Sequence, residues 1–152
     1  MNRIVASPRS ILSGLARYSR SIIVSAIMLM PWSPAFAQQT QPYHLISAAT
    51  TNSTSIKGTN GGVISIVAIN TTATIYYLKF YDTAAAPTCN TTAVALTFPI
   101  PATASSTGGG LVVSLPQEAR FLSGIGICLV GGIADNDNSN AATGVAVDVF
   151  FK

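Results

Sequence analysis

Charge is scarce in this sequence: eight Lys and Arg, five Asp and Glu and one His among 152 residues. The charged share is 9%, against roughly a quarter in an average domain. Each shortage removes a class of function. One histidine, His44, cannot build a two-histidine metal site. Any Ser-His-Asp or Cys-His nucleophile would have to use it, and it sits in the N-terminal part of residues 38–152, where chains are least ordered. No Gly-x-Ser-x-Gly elbow occurs. Gly108-Gly109-Gly110 has neither the following Lys nor the helix of a phosphate loop. Paired-carboxylate glycoside hydrolysis could draw only on Asp82, Glu118, Asp135, Asp137 and Asp148, and nothing in their spacing converges two of them. The expectation is a protein that is not an enzyme and uses no cofactor.

The charge that is present lies unevenly. Arg3, Arg9, Arg17 and Arg20 precede the apolar run Ser21–Met30, which Pro31 ends, and Ala35-Phe36-Ala37 follows. A positive segment, a short apolar run and a small-x-small site, in that order, are the parts of a secretory signal. The run is shorter than the roughly 20 residues that span a bilayer. Residues 1–37 are therefore expected to be a helical signal peptide cleaved after Ala37, with residues 38–152 as a single mature domain. No Arg pair marks a twin-arginine signal, and no Cys follows Ala37 to carry a lipid. Sec-type export to the periplasm or the exterior follows, with no membrane attachment once the signal is gone. The four arginines leave with it. Lys57, Lys79, Arg120 and Lys152 then face the five acids, so the formal +3 becomes a small negative balance. The basic excess belongs to the signal, and nucleic acid is not an expected partner. Residues 38–152 also contain no Met and no Trp.

What those residues do contain is strand pattern. Thr74–Tyr81 is dense in β-branched and aromatic side chains. In Val145–Phe151 the valines and Phe151 alternate with Ala146, Asp148 and Phe150, which puts an apolar row on one face. Val63–Ile69, Ala93–Ile100, Leu111–Leu115 and Ile125–Val130 behave alike, and Tyr43–Ala48 and Thr54–Gly58 are weaker. Turn residues separate them at Asn60-Gly61-Gly62, Asn70-Thr71-Thr72, Ala86-Pro87-Thr88, Gly108-Gly109-Gly110 and Asp135–Asn140. About eight short strands at this spacing predict an all-β domain, an antiparallel sandwich or jelly roll. Eight spanning strands of about 10 residues would leave little for turns, which excludes a small outer-membrane barrel.

Cys89 and Cys128 are an even pair in an exported chain, so a disulfide is expected between them. Asp135-Asn136-Asp137-Asn138-Ser139-Asn140 opens like an EF-hand loop. It has Asn140 where that loop needs Gly and Ala146 where it needs the bidentate Glu. A different calcium site using Asp135 and Asp137 stays open beside the plainer reading, a polar hairpin loop whose Asx side chains cap their own turns. Asn52, Asn70 and Asn90 each begin an Asn-x-Ser/Thr triplet.

Gly124-Ile125-Gly126-Ile127, Gly132–Asp137, Val145–Lys152 and Tyr77–Asp82 leading into Pro87-Thr88 resemble a diffuse group of small β-sandwich proteins from tailed-phage and bacterial genomes. Some of that group are virion surface or accessory proteins. The resemblance covers most of residues 38–152 and rests on strand-and-turn patterns. It implies a β-sandwich and carries over no catalytic residue. Virion parts assemble in the cytoplasm, so the expected signal peptide departs from the phage pattern and favours an exported bacterial relative.

Two functions fit these readings. One is a structural or surface-associated protein acting through assembly or adhesion, its edge strands little protected by Lys or Pro and free to self-associate. A chaperone–usher type pilin, with Gln38–Ala49 as donor strand, is a special case. The other is a module binding carbohydrate or another small ligand, with Tyr77 and Tyr81 stacked on one face and Tyr76, Leu78 and Phe80 on the opposite one.

Overall fold

The computed structural model describes residues 38–104, 108–141 and 143–152; the signal peptide expected over residues 1–37 lies outside the described residues. Gln38–Lys152 form one compact unit. Its strands are β1 (Gln41–Ile46), β2 (Thr54–Lys57), β3 (Gly61–Asn70), β4 (Tyr76–Asp82), β5 (Val94–Ile100), β6 (Gly109–Phe121), β7 (Ile125–Val130) and β8 (Val145–Phe151). Each falls where the alternation of apolar and polar residues predicts a strand.

Two four-stranded antiparallel sheets result, one ordered β1-β8-β3-β6 and the other β2-β7-β4-β5. Each strand lies beside the one that mirrors it in the chain: β1 with β8, β2 with β7, β3 with β6, β4 with β5. The chain is thus one long hairpin, closed at β4–β5 and rolled into two layers, which is the winding of a jelly roll. The inward rows fill the space between the sheets. Val145, Val147, Val149 and Phe151 of β8 and Val63, Ile66 and Ala68 of β3 meet Tyr76, Leu78 and Phe80 of β4 and Ile125, Ile127 and Leu129 of β7. Phe80 anchors the centre, edge-on to Phe98 with ring centroids 5.9 Å apart and tilted against Phe121 at 6.1 Å. Aromatic pairs at such separations add to the area they bury.

β6 is longer than the pattern predicts. It runs on past Leu115 through Pro116 to Phe121, and the β3–β6 register shifts between Val63 and Ser65 to take up the extra residues. A proline in a central strand would break the ladder, but β6 lies at a sheet edge, where the missing donor costs little.

The edges themselves require a correction. The strands that end the sheets are β1, β6, β2 and β5. Pro42 lies in β1, Pro116 in β6 and Pro99 in β5, while β2 is four residues long, ends in Lys57 and carries a register shift. Prolines, lysines, bulges and brevity are the devices that keep edges from pairing with other chains. Every edge here has at least one, contrary to the expectation from sequence.

Asn70 closes the passage from β3 to β4. It is fully buried. Its amide donates to the Thr74 carbonyl at 2.8 Å and, more weakly, to the Ile100 carbonyl at 3.4 Å. Its Oδ1 accepts from the Thr72 backbone at 2.9 Å and the Thr72 hydroxyl at 2.8 Å. A buried amide with all its bonds made is neutral to favourable, whereas the orphans left by deleting it are costly. Asn70→Ala is expected to destabilise the fold by about 2–3 kcal/mol in urea unfolding with the slope unchanged. A change under about 0.5 kcal/mol would show that the turn holds without it.

Candidate functional site

The two outer faces of the sandwich differ, and the difference begins with β7. All six of its residues are buried. Ile125, Ile127 and Leu129 face the core between the sheets, which leaves Gly126, Cys128 and Val130 on the outer face of the β2-β7-β4-β5 sheet. That face has its own small core of Tyr81, Cys89, Cys128 and Val130, with Tyr77 and Val94 packed against it. Residues 83–93, between β4 and β5, lie over it. They are tied down by a disulfide from Cys89 to Cys128, with Cα atoms 6.1 Å apart. Gly126 permits the approach: a Cβ there would lie 2.7 Å from the Thr83 methyl and 3.0 Å from the Pro87 ring.

Tyr77 and Tyr81 do share this face, as alternation requires. Tyr81, however, is wholly buried, and its hydroxyl donates to the Cys89 carbonyl at 3.2 Å. The loop held by the disulfide takes the place a stacked ligand would need. Only Tyr77 keeps any exposure, so the two rings do not form a shared platform. Burial, helped by the nearby negative charge of Asp135, pushes the Tyr81 phenol up to about 12.

Lys79, between the two tyrosines, is buried as well, which alternation alone does not predict. It is fully covered, with its ammonium donating to the Ala134 carbonyl in the loop after β7. Burial draws its pKa down, and the charges of Asp137 and Asp135 oppose that shift. The same loop occupies the carboxylate considered for calcium. Asp137 Oδ1 accepts from the Ser139 hydroxyl at 2.6 Å, the Ser139 amide at 3.0 Å and the Gly132 amide at 3.0 Å. Those bonds, led by the Ser139 hydroxyl, hold its pKa below the usual carboxylate value, and Lys79 adds to them. The cation facing this loop is thus the protein's own. No group of three or more His, Cys, Asp or Glu side chains able to hold a metal occurs among the described residues. Asp82 has a parallel role at the β6–β7 turn, accepting from the backbone of Leu122, Ser123 and Gly124.

An open cleft of about 280 Å³ lies beside the strapped loop, lined by Thr51, Ser53, Pro87, Thr88, Cys89, Asn90 and Asn138. Sequence reading missed it because three separate loops contribute, and only the fold brings them together. Its lining sets the hydroxyls and amides of Thr51, Ser53, Thr88, Asn90 and Asn138 beside Pro87 and the disulfide-bonded Cys89, with no ionisable side chain. Asn90 is also the accessible member of the three Asn-x-Ser/Thr triplets. Asn70 is buried, and the Asn52 amide is held by the carbonyls of Ala48 and Thr50.

Among the described residues, nothing covers the outer face of the β1-β8-β3-β6 sheet in this way. Register places its outward residues in four rows across the strands, the last being Lys152, Gly62 and Arg120, with Glu118 lying against Gly62 and bonded to Lys152 at 2.9 Å. Ile46, Ala146, Ile69 and Gly110 make one, His44, Asp148, Val67 and Val112 the next, and Pro42, Phe150, Ser65 and Ser114 the third. Val112 is 77% exposed, Ile46 63% and Ile69 51%. Apart from Arg120, Lys152 and Glu118 around the last row, the ionisable groups in these rows are His44 and Asp148, bonded to each other at 2.6 Å through Nδ1 and Oδ1. The lone histidine is thus paired across β1–β8 on an apolar surface, rather than set in a cleft.

Two expected outcomes follow for the strapped face. Replacing both Cys89 and Cys128 by Ser removes a closure of 39 residues and should cost roughly 4 kcal/mol in the chain-entropy account. A loss below about 1 kcal/mol in equilibrium unfolding would mean that the loop holds without the bond. For Tyr81, a phenol raised in the folded state stabilises fully below its unfolded value. That contribution is lost as pH rises through the folded one. Absorbance titration should show one phenol ionising near pH 12 together with unfolding, and Tyr81→Phe should remove that step. All tyrosines titrating together near pH 10 in the folded protein would contradict the burial.

A disulfide places the folded chain in a non-reducing compartment. Comparison with protein-family models, with curated proteins and with solved structures finds no match for this chain, so its function has to be argued from the two faces themselves.

Proposed function

We propose that this is an exported, non-catalytic structural or surface-associated protein that acts by assembly or adhesion through the outer face of its β1-β8-β3-β6 sheet. One observation carries the reading: among the described residues nothing covers the middle of this face, where Ile46, Ile69 and Val112 are exposed, in a domain that covers its other face with two loops and a disulfide. Contiguous apolar surface on a soluble domain marks a contact site. The blunted edges turn association away from strand addition and toward the face. β1 is already paired with β8 along its length, so Gln38–Ala49 could act as a donor strand only by leaving its own sheet. A pilin-like role is therefore not favoured. Sec-type export to the periplasm or the exterior suits both the expected signal over residues 1–37 and the disulfide. The resemblance to the phage and bacterial β-sandwich group fits such a role without specifying a partner.

A second reading rests on the cleft. The side chains of Thr88, Asn90 and Asn138 are exposed there, while those of Asn52, Asn70 and Asp137 are bonded within their own loops. A neutral, hydroxyl-rich ligand such as a saccharide has the matching chemistry.

The test compares the protein with Ile69→Asp. The wild type is expected to associate with itself in concentration-dependent light scattering, or to adsorb to an alkyl-coated sensor. The variant should do neither while melting within a few degrees of wild type. A wild type that neither associates nor adsorbs would overturn the reading, and a melting shift with saccharide alone would favour the cleft.

A further inference from the structure

We infer that the loop between β4 and β5 is a positioning element of the cleft beside it: a neutral sugar ring binds there only while the Cys89–Cys128 bond holds that loop against β7. This deepens the second reading of function, on which it rests. Four side chains of the lining, Thr51, Thr88, Asn90 and Asn138, make no hydrogen bond among the described residues. Comparable side chains in other loops do bond, Asn52 to Ala48, Asn70 to Thr74 and Ser139 to Asp137. Amides and hydroxyls offer both donors and acceptors, as the hydroxyls of a sugar do. No ionisable side chain lines the cleft, so a charged ligand would find no counter-charge in it. Its volume of about 280 Å³ lies just below the range that holds a drug-sized molecule, which suits a single ring.

The two sides of the cleft are held differently. On one side the Thr51 carbonyl accepts from the Leu129 amide of β7 at 2.8 Å. Asn138 stands between Asp137 and Ser139, which bond each other and the backbone of Gly132 and Gly131. On the other side Thr88 and Asn90 belong to a turn whose backbone bonds are internal, the Thr91 and Thr92 amides donating to the Thr88 carbonyl at 3.0 and 2.9 Å. Among the described residues, three ties join that turn to the sheet side. They are the disulfide, the Tyr81 hydroxyl on the Cys89 carbonyl at 3.2 Å and the Ser53 hydroxyl on the Pro87 carbonyl at 2.5 Å. Two single hydrogen bonds stabilise less than the entropy of fixing a turn of this length opposes. Without the covalent tie, Thr88 and Asn90 leave their places opposite Thr51 and Asn138, and the site loses the advantage of being preformed.

Residues 38–152 contain the whole core and the disulfide, so the oxidised processed chain is the form to test. The probes are the methyl glycosides of glucose, galactose, mannose and N-acetylglucosamine, each titrated to about 100 mM while the side-chain amide signals of Asn90 and Asn138 are followed by NMR. At least one probe should shift both signals in the wild type. Asn138→Ala should bind it about tenfold more weakly or worse while melting as the wild type does. Cys89→Ser combined with Cys128→Ser should lose about as much, with the remaining shift at Asn138 and none at Asn90; a general loss of stability would scale both signals alike. Should the serine pair not fold, Gly126→Ala carries the test with the disulfide intact. Its Cβ would lie 2.7 Å from the Thr83 methyl and 3.0 Å from the Pro87 ring, which lifts the loop, and binding should weaken there too. Unchanged affinity in Gly126→Ala, or in a folded serine pair, would overturn the inference and leave the cleft reading standing. No shift with any probe, or shifts confined to residues outside the cleft, would overturn both.

Discussion

The six residues of β7 are buried along their whole length, so the sheet they belong to needs cover on two sides rather than one. In most antiparallel sandwiches one face of each sheet meets the core and the other meets water. Here the β2-β7-β4-β5 sheet meets the core through Ile125, Ile127 and Leu129 and must then hide Cys128 and Val130 on its other side. No third sheet or helix supplies that cover among the described residues. Two connecting loops do, and loops make poor lids, because their backbone groups have to be satisfied without a ladder. The molecule meets this need with a covalent tie from Cys89 to Cys128 over one loop and with the Lys79–Ala134 bond under the other.

Lys79 shows how closely those solutions are matched. An ammonium taken out of water is strongly disfavoured unless carbonyls and opposite charge replace its hydration. Ala134 supplies the carbonyl, and Asp135 and Asp137 the field. Asp137 is itself fixed by Ser139 and Gly132, and a Cβ at Gly132 would collide with that carboxylate. The loop that holds the Asp-Asn-Asp-Asn-Ser-Asn stretch thus folds over Lys79, which lies 55 residues before Ala134 in the chain. That also accounts for its composition, since small polar side chains that bond their own backbone can close a tight loop over a charge.

Strand number, strand position and the cysteine pair were legible in the sequence because each depends on local or compositional physics. Period-2 alternation needs only neighbours, as in Val145–Phe151, and an even cysteine count in an exported chain points to a bridge wherever the two residues lie. Edge protection was not legible. Pro42, Pro99 and Pro116 look like ordinary residues in their strands until the sheet order shows that each stands at an edge. Tyr81 and Lys79 failed for a related reason. Alternation correctly placed them on the face away from Leu78 and Phe80, but an outward face is exposed only if nothing lies over it, and what lies over this one comes from residues 83–93 and the loop after β7. The cleft was invisible for the same cause, its lining being drawn from three loops far apart in sequence.

The low charge content acquires a physical meaning at this point. A soluble domain needs polar surface, and Thr, Ser and Asn provide it here without much net charge. A charged surface would keep copies apart through long-range repulsion, whereas a hydroxyl-rich one leaves short-range contacts to decide what meets what. With the edges blunted and one face strapped shut, the side chains exposed in the middle of the other face include Ile46, Ile69 and Val112, with the bonded His44–Asp148 pair between them. The shortage of charge that leaves few groups for chemistry is therefore also what leaves short-range contacts to decide the role proposed for this face.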